Sequence, residues 1–178
     1  MSSLDDVREG LVDLWGRLSP FWGVTPSAGR VLAFLLGRDE PADAEALVEG
    51  LGASRGSVSM ACRELADWGL VTTERPSGSR RVLYRPVTDL ERAIRAIVST
   101  RKRREWDPLL ESLAAWRGDL ERLRSAEAEA LRARLDDVEA VVGMVDSMAT
   151  TFLNGGTLQR LGLGALLKSA RRRQKSKK

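Results

Sequence analysis

The 178-residue chain contains no histidine. That removes the commonest general base, the commonest metal ligand and the usual pH switch. It has one cysteine, Cys62, so no internal disulfide is available, and ordinary zinc sites and Cys–His nucleophile pairs are out of reach. There is no phosphate-cradling glycine loop and no paired-carboxylate motif. Asp136, Asp137 and Glu139 read as the solvated face of a helix. An enzyme is therefore not expected, and neither is a cofactor. No run of about 18 apolar residues occurs, so no membrane span is expected. The start, MSSLDDVREG, is acidic and polar without a signal-peptide pattern, and with a lone cysteine it suits a cytoplasmic protein.

What is present is charge, unevenly placed. The net charge is +4, but Lys168–Lys178 alone holds seven basic residues and no acid, leaving the rest of the chain net negative. A second local excess lies between Ser54 and Arg85, where six arginines face Glu64, Asp67 and Glu74. Local patterns of this kind matter more to recognition than the overall charge.

The stretch Ser54–Gly69, SRGSVSMACRELADWG, organises that second region. Ser54 is a good N-cap. Val58, Ala61, Cys62 and Leu65 then form one apolar stripe of a helix, and Gly69 stands where a left-handed residue is wanted. The opposite face carries Arg55, Ser57, Ser59, Met60 and Arg63, side chains suited to phosphates and base edges. Upstream, Asp43 caps a short helix bearing Leu47, Val48 and Leu51, and Gly52-Ala53 is a tight turn. Helix, short turn, helix is the helix-turn-helix pattern. Downstream, Leu70–Arg75 and Arg81–Arg85 read as two strands around the turn-rich loop Pro76-Ser77-Gly78-Ser79-Arg80. The fold class expected is mainly α with a small β-hairpin wing, a winged helix-turn-helix.

ASRGSVSMACRELADWGLV, followed by RPSGSRRVLYRP, resembles the MarR superfamily, in the branch of GbsR, a repressor of glycine-betaine synthesis. AGRVLAFLL at positions 28 to 36 resembles the same branch. The match covers about residues 26 to 90, and the flanking helices resemble the family in arrangement only. The resemblance implies a dimeric regulator of transcription, a repressor released by a small-molecule effector, with double-stranded DNA and a second copy as partners. A helix enters the major groove by its N-terminal turn, which brings Ser54, Arg55, Ser57, Ser59, Met60 and Arg63 to DNA. Arg55 is suited either to a guanine edge or to a phosphate. Ser54 and Ser57 suit a phosphate at the positive end of the helix. Arg80 and Arg81 at the wing reach the adjacent minor groove or its phosphates, as the resemblance implies. Some MarR relatives sense oxidants through cysteine. Here Cys62 shares the buried stripe with Val58 and Leu65, where a thiol behaves as a small hydrophobe.

Both flanks read as helical. Leu4, Val7, Leu11, Leu14 or Trp15, and Leu18 repeat at helical spacing over residues 4 to 19, with Ser19-Pro20 as the stop. Phe21-Trp22-Gly23 is an aromatic elbow, read as a plug between helices or as one wall of a ligand pocket. Thr25-Pro26 starts a helix that buries Ala28, Val31, Leu32 and Leu35 and ends near Gly37. Asp89 caps a longer helical region, which Asp107-Pro108 interrupts and which breaks again near Arg124–Glu127. Over residues 126 to 153, Leu131, Leu135, Val138, Val142, Val145, Ala149 and Phe152 make a heptad seam.

The division expected is an N-terminal dimerisation helix and elbow over 1–24, a winged helix-turn-helix over 25–88, C-terminal dimerisation helices over 89–167 and a disordered basic tail over 168–178. Five tryptophans are many for this length. Trp15, Trp22 and Trp106 are candidates for an effector pocket taking an apolar or, given the GbsR resemblance, a cationic ligand such as a choline. Packing in core and interface is the simpler role for them. The competing function is a winged-helix scaffold for protein contacts. The basic wing and the Arg/Ser helix face favour DNA.

Overall fold

The computed structural model describes residues 3–155. It divides between Ile97 and Val98 into two compact units. The basic tail and Leu158–Leu167 lie outside the described residues.

The first unit begins with α1 (Leu4–Trp22) and α2 (Pro26–Leu36). Ser3 caps α1 in a capping box with Asp6, and Thr25 caps α2 by accepting from Ala28 N–H, with Pro26 in the first turn. The stop expected at Ser19-Pro20 is not the end of α1, which runs on to Trp22. Pro20 lacks the N–H that would bond the Gly16 carbonyl. Ser19 makes up the loss, because its hydroxyl, shared with the Thr25 carbonyl at 3.1 Å, donates to that same carbonyl at 3.2 Å. Gly23 then closes the helix by donating to the Pro20 carbonyl. Where α1 crosses α2 the backbones come very close. A Cβ on Gly29 would lie 2.5 Å from Ser19 and 2.6 Å from the Trp15 carbonyl, so only glycine fits.

Next come β1 (Ala42–Asp43), α3 (Ala44–Leu51) and α4 (Arg55–Asp67). Asp43 caps α3 through Ala46 N–H, and Ser54 caps α4 through Ser57 N–H. Gly69, at φ 67°, turns the chain out of α4, where a side chain would be strained. The wing is β2 (Val71–Glu74) paired antiparallel with β3 (Leu83–Pro86), in register Thr72↔Arg85 and Glu74↔Leu83. The second strand starts later than the expected Arg81. β1, too short to mark the sequence, adds a third strand in the order β1-β3-β2, with Asp43 opposite Leu83. One core closes the unit: Ala28, Val31, Leu35, Leu47, Val58, Cys62, Leu65 and Trp68 are buried in it.

α5 (Leu90–Arg101), whose first turn Asp89 caps, crosses the boundary between the units. The second unit continues with a π-helical turn (Lys102–Trp106), α6 (Asp107–Arg122) and α7 (Ala126–Leu153), capped by Ser125. The interruption expected at Asp107-Pro108 is this π turn, and the expected break falls between Arg122 and Ala126. Lys102 ties the turn to Asp107 and Asp146, and those hydrogen bonds raise its pKa, the one to Asp107 most. Arg117 of α6 joins Asp136 and Glu139 of α7 at 2.8 and 2.7 Å.

The heptad seam of α7 divides in two. Ala128 and Ala149 are buried, with Leu135 and Val142 half-buried between them. Leu131, Val138 and Val145 are exposed, and Val141, Met144 and Met148 widen that outer face. On α6, Leu113 is buried while Leu109 and Trp116 face outward at heptad spacing, and Leu123, just past the helix end, is exposed.

Candidate nucleic-acid interface

The face of α4 opposite its buried stripe is open. Ser54, Arg55, Ser59, Met60 and Arg63 are exposed on it. Gly56, also exposed there, leaves space beside Arg55, since a Cβ at that position would meet nothing within 4 Å. The stripe itself fixes which side points out: Val58, Ala61, Cys62 and Leu65 are all at most 1% exposed. Ser57 is half-buried, and its hydroxyl donates to Ser27 of α2 at 3.4 Å. Ser54 spends its hydroxyl on the cap. These two serines are therefore engaged within the protein, while Ser59 has no such contact among the described residues.

Two contacts hold α4 to the start of α2, and the sequence pattern shows neither. Glu64 accepts from Thr25 N–H at 2.8 Å and from the Thr25 hydroxyl at 2.6 Å. The Ser57–Ser27 contact lies about two turns back along α4. A carboxylate at the N-terminus of α2 also meets the positive end of that helix.

Wing residues Arg80 and Arg81 are exposed. Arg81 does not stand alone: its guanidinium lies 3.1 Å from Asp43 and 3.6 Å from Glu45. Arg55, from the first turn of α4, lies 3.6 Å from the same Glu45. The structure thus brings Arg55 and Arg81 together at one carboxylate. Arg63 and Arg80 make no ion pair among the described residues. Sequence reasoning overlooked Glu45 here, and read Asp43 as a cap only. Their signal was faint: both sit where acids favour a helix N-terminus anyway.

Cys62 is buried beneath this surface. Burial pushes its thiol up from 9.0 to about 11, against a smaller lowering by its hydrogen bond with Tyr84 of β3. A thiol held protonated is a poor nucleophile and a poor redox sensor. It acts as a packing group between α4 and the wing.

The proposed effector residues fall in both units. Trp15 packs half-buried on the core of the first unit, Trp22 is 55% exposed, and Trp106 closes the π turn of the second unit. A cleft of about 390 Å³ in the first unit is lined by Arg8, Val12, Asp13, Arg30, Phe34 and Arg38. Its arginines are engaged: Arg8 with the Gly37 carbonyl, Arg30 with Asp13, and Arg38 over the Phe34 ring at 4.1 Å. A shallow cleft of about 370 Å³ in the second unit is lined by Leu110, Arg117, Asp136, Glu139, Ala140 and Gly143. Neither cleft has a tryptophan in its lining. Among the described residues no cluster of acids and cysteine has metal-binding geometry, and no helix is long and apolar enough to cross a membrane.

Helix, turn, helix and a β2–β3 wing, which β1 extends to a three-stranded sheet, around one core make a winged helix. Residues 22–82 match the model of the MarR family. The matched MarR segment runs from the end of α1 into the wing, and holds every candidate DNA-contact residue. The chain is also similar in structure to a transcriptional regulator known from its crystal structure, at 26% identity and a TM-score of 0.55, over 81% of this chain and 98% of that one. Transcriptional regulator Tm0710 from Thermotoga maritima is similar at 19% identity and a TM-score of 0.38, over 79% of this chain and 94% of that one. No curated protein matches the chain.

Proposed function

We propose that this protein is a sequence-specific DNA-binding regulator of transcription that acts as a homodimer, a repressor of the GbsR type released by a small-molecule effector. One observation carries the reading: on a MarR-type winged helix, the exposed face of α4 bears Arg55, Ser59, Met60 and Arg63, and the adjoining wing bears Arg80 and Arg81. Guanidinium groups on a helix face and a wing suit the phosphates and base edges of duplex DNA. The outward apolar rows on α1, α6 and α7 support a second copy as partner. A two-fold dimer would read half-sites about 34–36 Å apart.

The experiment is binding to DNA from the gene's own upstream region against random DNA of equal length, at two salt concentrations. The expected result is a preference that survives higher salt. No binding to either turns the reading to a protein scaffold. Arg55→Ala is expected to cost roughly 1–3 kcal/mol, mostly on the specific site, and an equal loss on random DNA makes Arg55 a phosphate contact. The effector step concerns Trp15, Trp22 and Trp106. Tryptophan fluorescence that stays flat across apolar and cationic compounds removes that step.

A further inference from the structure

Most of the large apolar side chains exposed in this protein stand in rows on α1, α6 and α7. Met60 does not. Between Gly37 and Asp89, through the helix-turn-helix and the wing, it is the one large apolar side chain left exposed, at 67%. A single exposed apolar residue is ordinary, but the surroundings of this one are not. Arg55, Ser59 and Arg63 share the open face of α4 with it, opposite the buried stripe. Gly56 lies on that face too, one turn nearer the helix start. Its backbone is not left-handed, and a Cβ there would meet nothing within 4 Å. Neither a turn nor packing inside the protein calls for glycine, a poor helix former, at this place. The space over Gly56 is also free of the Met60 side chain, so an open notch lies beside an apolar wall.

We propose that Met60, with the notch over Gly56, is a specificity-determining residue that reads the C5-methyl group of a thymine in the major groove. The inference rests on the DNA-binding reading. Base edges in the major groove present hydrogen-bond donors and acceptors, and the thymine methyl is the apolar group among them. Arginine and serine can use the donors and acceptors, or the phosphates. A thioether donates no hydrogen bond and accepts only weakly, so against a polar edge it displaces water and returns little. Against a methyl it buries apolar surface on both partners. Methionine is unbranched and flexible, so it can follow the methyl to the notch. A side chain at position 56 would hold the base edge away. The contact forms only where a thymine stands at that step. Random duplex offers it in a minority of registers, whereas every duplex supplies phosphates. The gain therefore falls on the cognate site.

The test uses the full chain and two duplexes carrying the specific site from the gene's upstream DNA, one with thymine and one with deoxyuridine throughout. The two differ only in the C5-methyl groups. The wild type is expected to bind the deoxyuridine duplex roughly 4-fold more weakly per half-site, the worth of one buried methyl-sized group. Met60→Ala is expected to lose about that factor on the thymine duplex and nothing on the deoxyuridine duplex, with its melting temperature unchanged. Gly56→Ala is expected to raise the melting temperature, because alanine favours the helix and meets nothing in the protein. It is expected to lose affinity for the thymine duplex and the preference for methyl. A wild type indifferent to the methyl groups overturns the proposal. So does Met60→Ala that loses equally on both duplexes, which makes Met60 a sugar or backbone contact, or that loses on neither. Gly56→Ala with wild-type affinity and preference overturns it as well, since the notch is then not used. Any of these in a chain that still prefers the specific site to random DNA overturns this inference alone. A wild-type chain without that preference overturns the regulator reading, and this inference with it.

Discussion

The two units bury their apolar residues to very different degrees. In the first, helices and wing close on one core, and Leu35, Leu47 and Leu65 have no exposed surface at all. In the second, Leu113 is the one large side chain so enclosed among the described residues, while Trp116, Leu123, Leu131, Val138, Val141, Met144, Val145 and Met148 remain open. The same residue types at helical spacing thus serve two ends. In the first unit the rows meet one another. In the second, half of each row meets its neighbour and half is presented outward. α1 combines both behaviours. Val12, Gly16 and Ser19 are buried, while Leu4, Val7, Leu14, Leu18 and Phe21 form an outer row. An apolar row with period three and four shows that something will cover it, but not whether the cover is the same chain or another.

The contrast can be broken most sharply at Leu65. Leu65→Ala is expected to cost about 2–5 kcal/mol of stability, read from urea unfolding, because a fully enclosed cavity is left. A loss below 1 kcal/mol would mean the first core is much looser than its burial indicates. The outer face is tested next. Val141→Glu with Met148→Glu is expected to weaken self-association by about 2 kcal/mol or more, seen as a shift to monomer in sedimentation, with the first unit's near-ultraviolet signal kept. An unchanged sedimentation mass would place the contact elsewhere. A smaller effect is expected at the α2–α4 clamp: Glu64→Ala is expected to cost about 1 kcal/mol through the lost Thr25 bonds, with Glu64→Gln costing less. If the two variants unfold alike, charge and hydrogen bonding at Thr25 do not hold α4.

The smallest effect is that of Cys62. Its folded pKa is raised, so the unfolded thiol ionises from 9.0 upward while the folded one waits until about 11. Stability is therefore complete below the lower value and falls as pH rises between the two. Tyr84, raised first by burial and then by Cys62, acts in the same direction. Cys62→Ala is expected to flatten part of that slope, and the wild-type thiol is expected to resist alkylation at neutral pH until the chain is unfolded. Rapid alkylation of folded protein would contradict the burial.

Much of this was legible in the chain. Thr25, Asp43, Ser54 and Asp89 each cap the helix that follows, because a cap is local chemistry within four residues. The exposed face of α4 was legible too, since the buried stripe through Val58 and Leu65 determines what its reverse must expose. Three features were not. The run of α1 past Pro20 depends on one hydroxyl, Ser19, taking over a bond the ring had removed. The strand β1 is two residues long and exists only because β3 lies beside it. The pairing of Glu45 with Arg55 and Arg81 joins positions far apart in sequence, and no periodicity encodes it. Legibility ended where a residue's partner came from another element.

Asp43 has a consequence for how this protein can change by mutation. Its two oxygens serve different masters, Ala46 of α3 and Arg81 of the wing. Most substitutions there are pleiotropic, loosening a helix start and freeing the wing in one step. Asparagine keeps both a good cap and the shape of the side chain while giving up the charge. Drift in how strongly the wing is restrained should therefore pass through Asn at position 43, or through Glu45 and Arg81, where a change touches fewer tasks. Of Asp43, Glu45, Arg55 and Arg81, the least exposed, Asp43, is the hardest to alter.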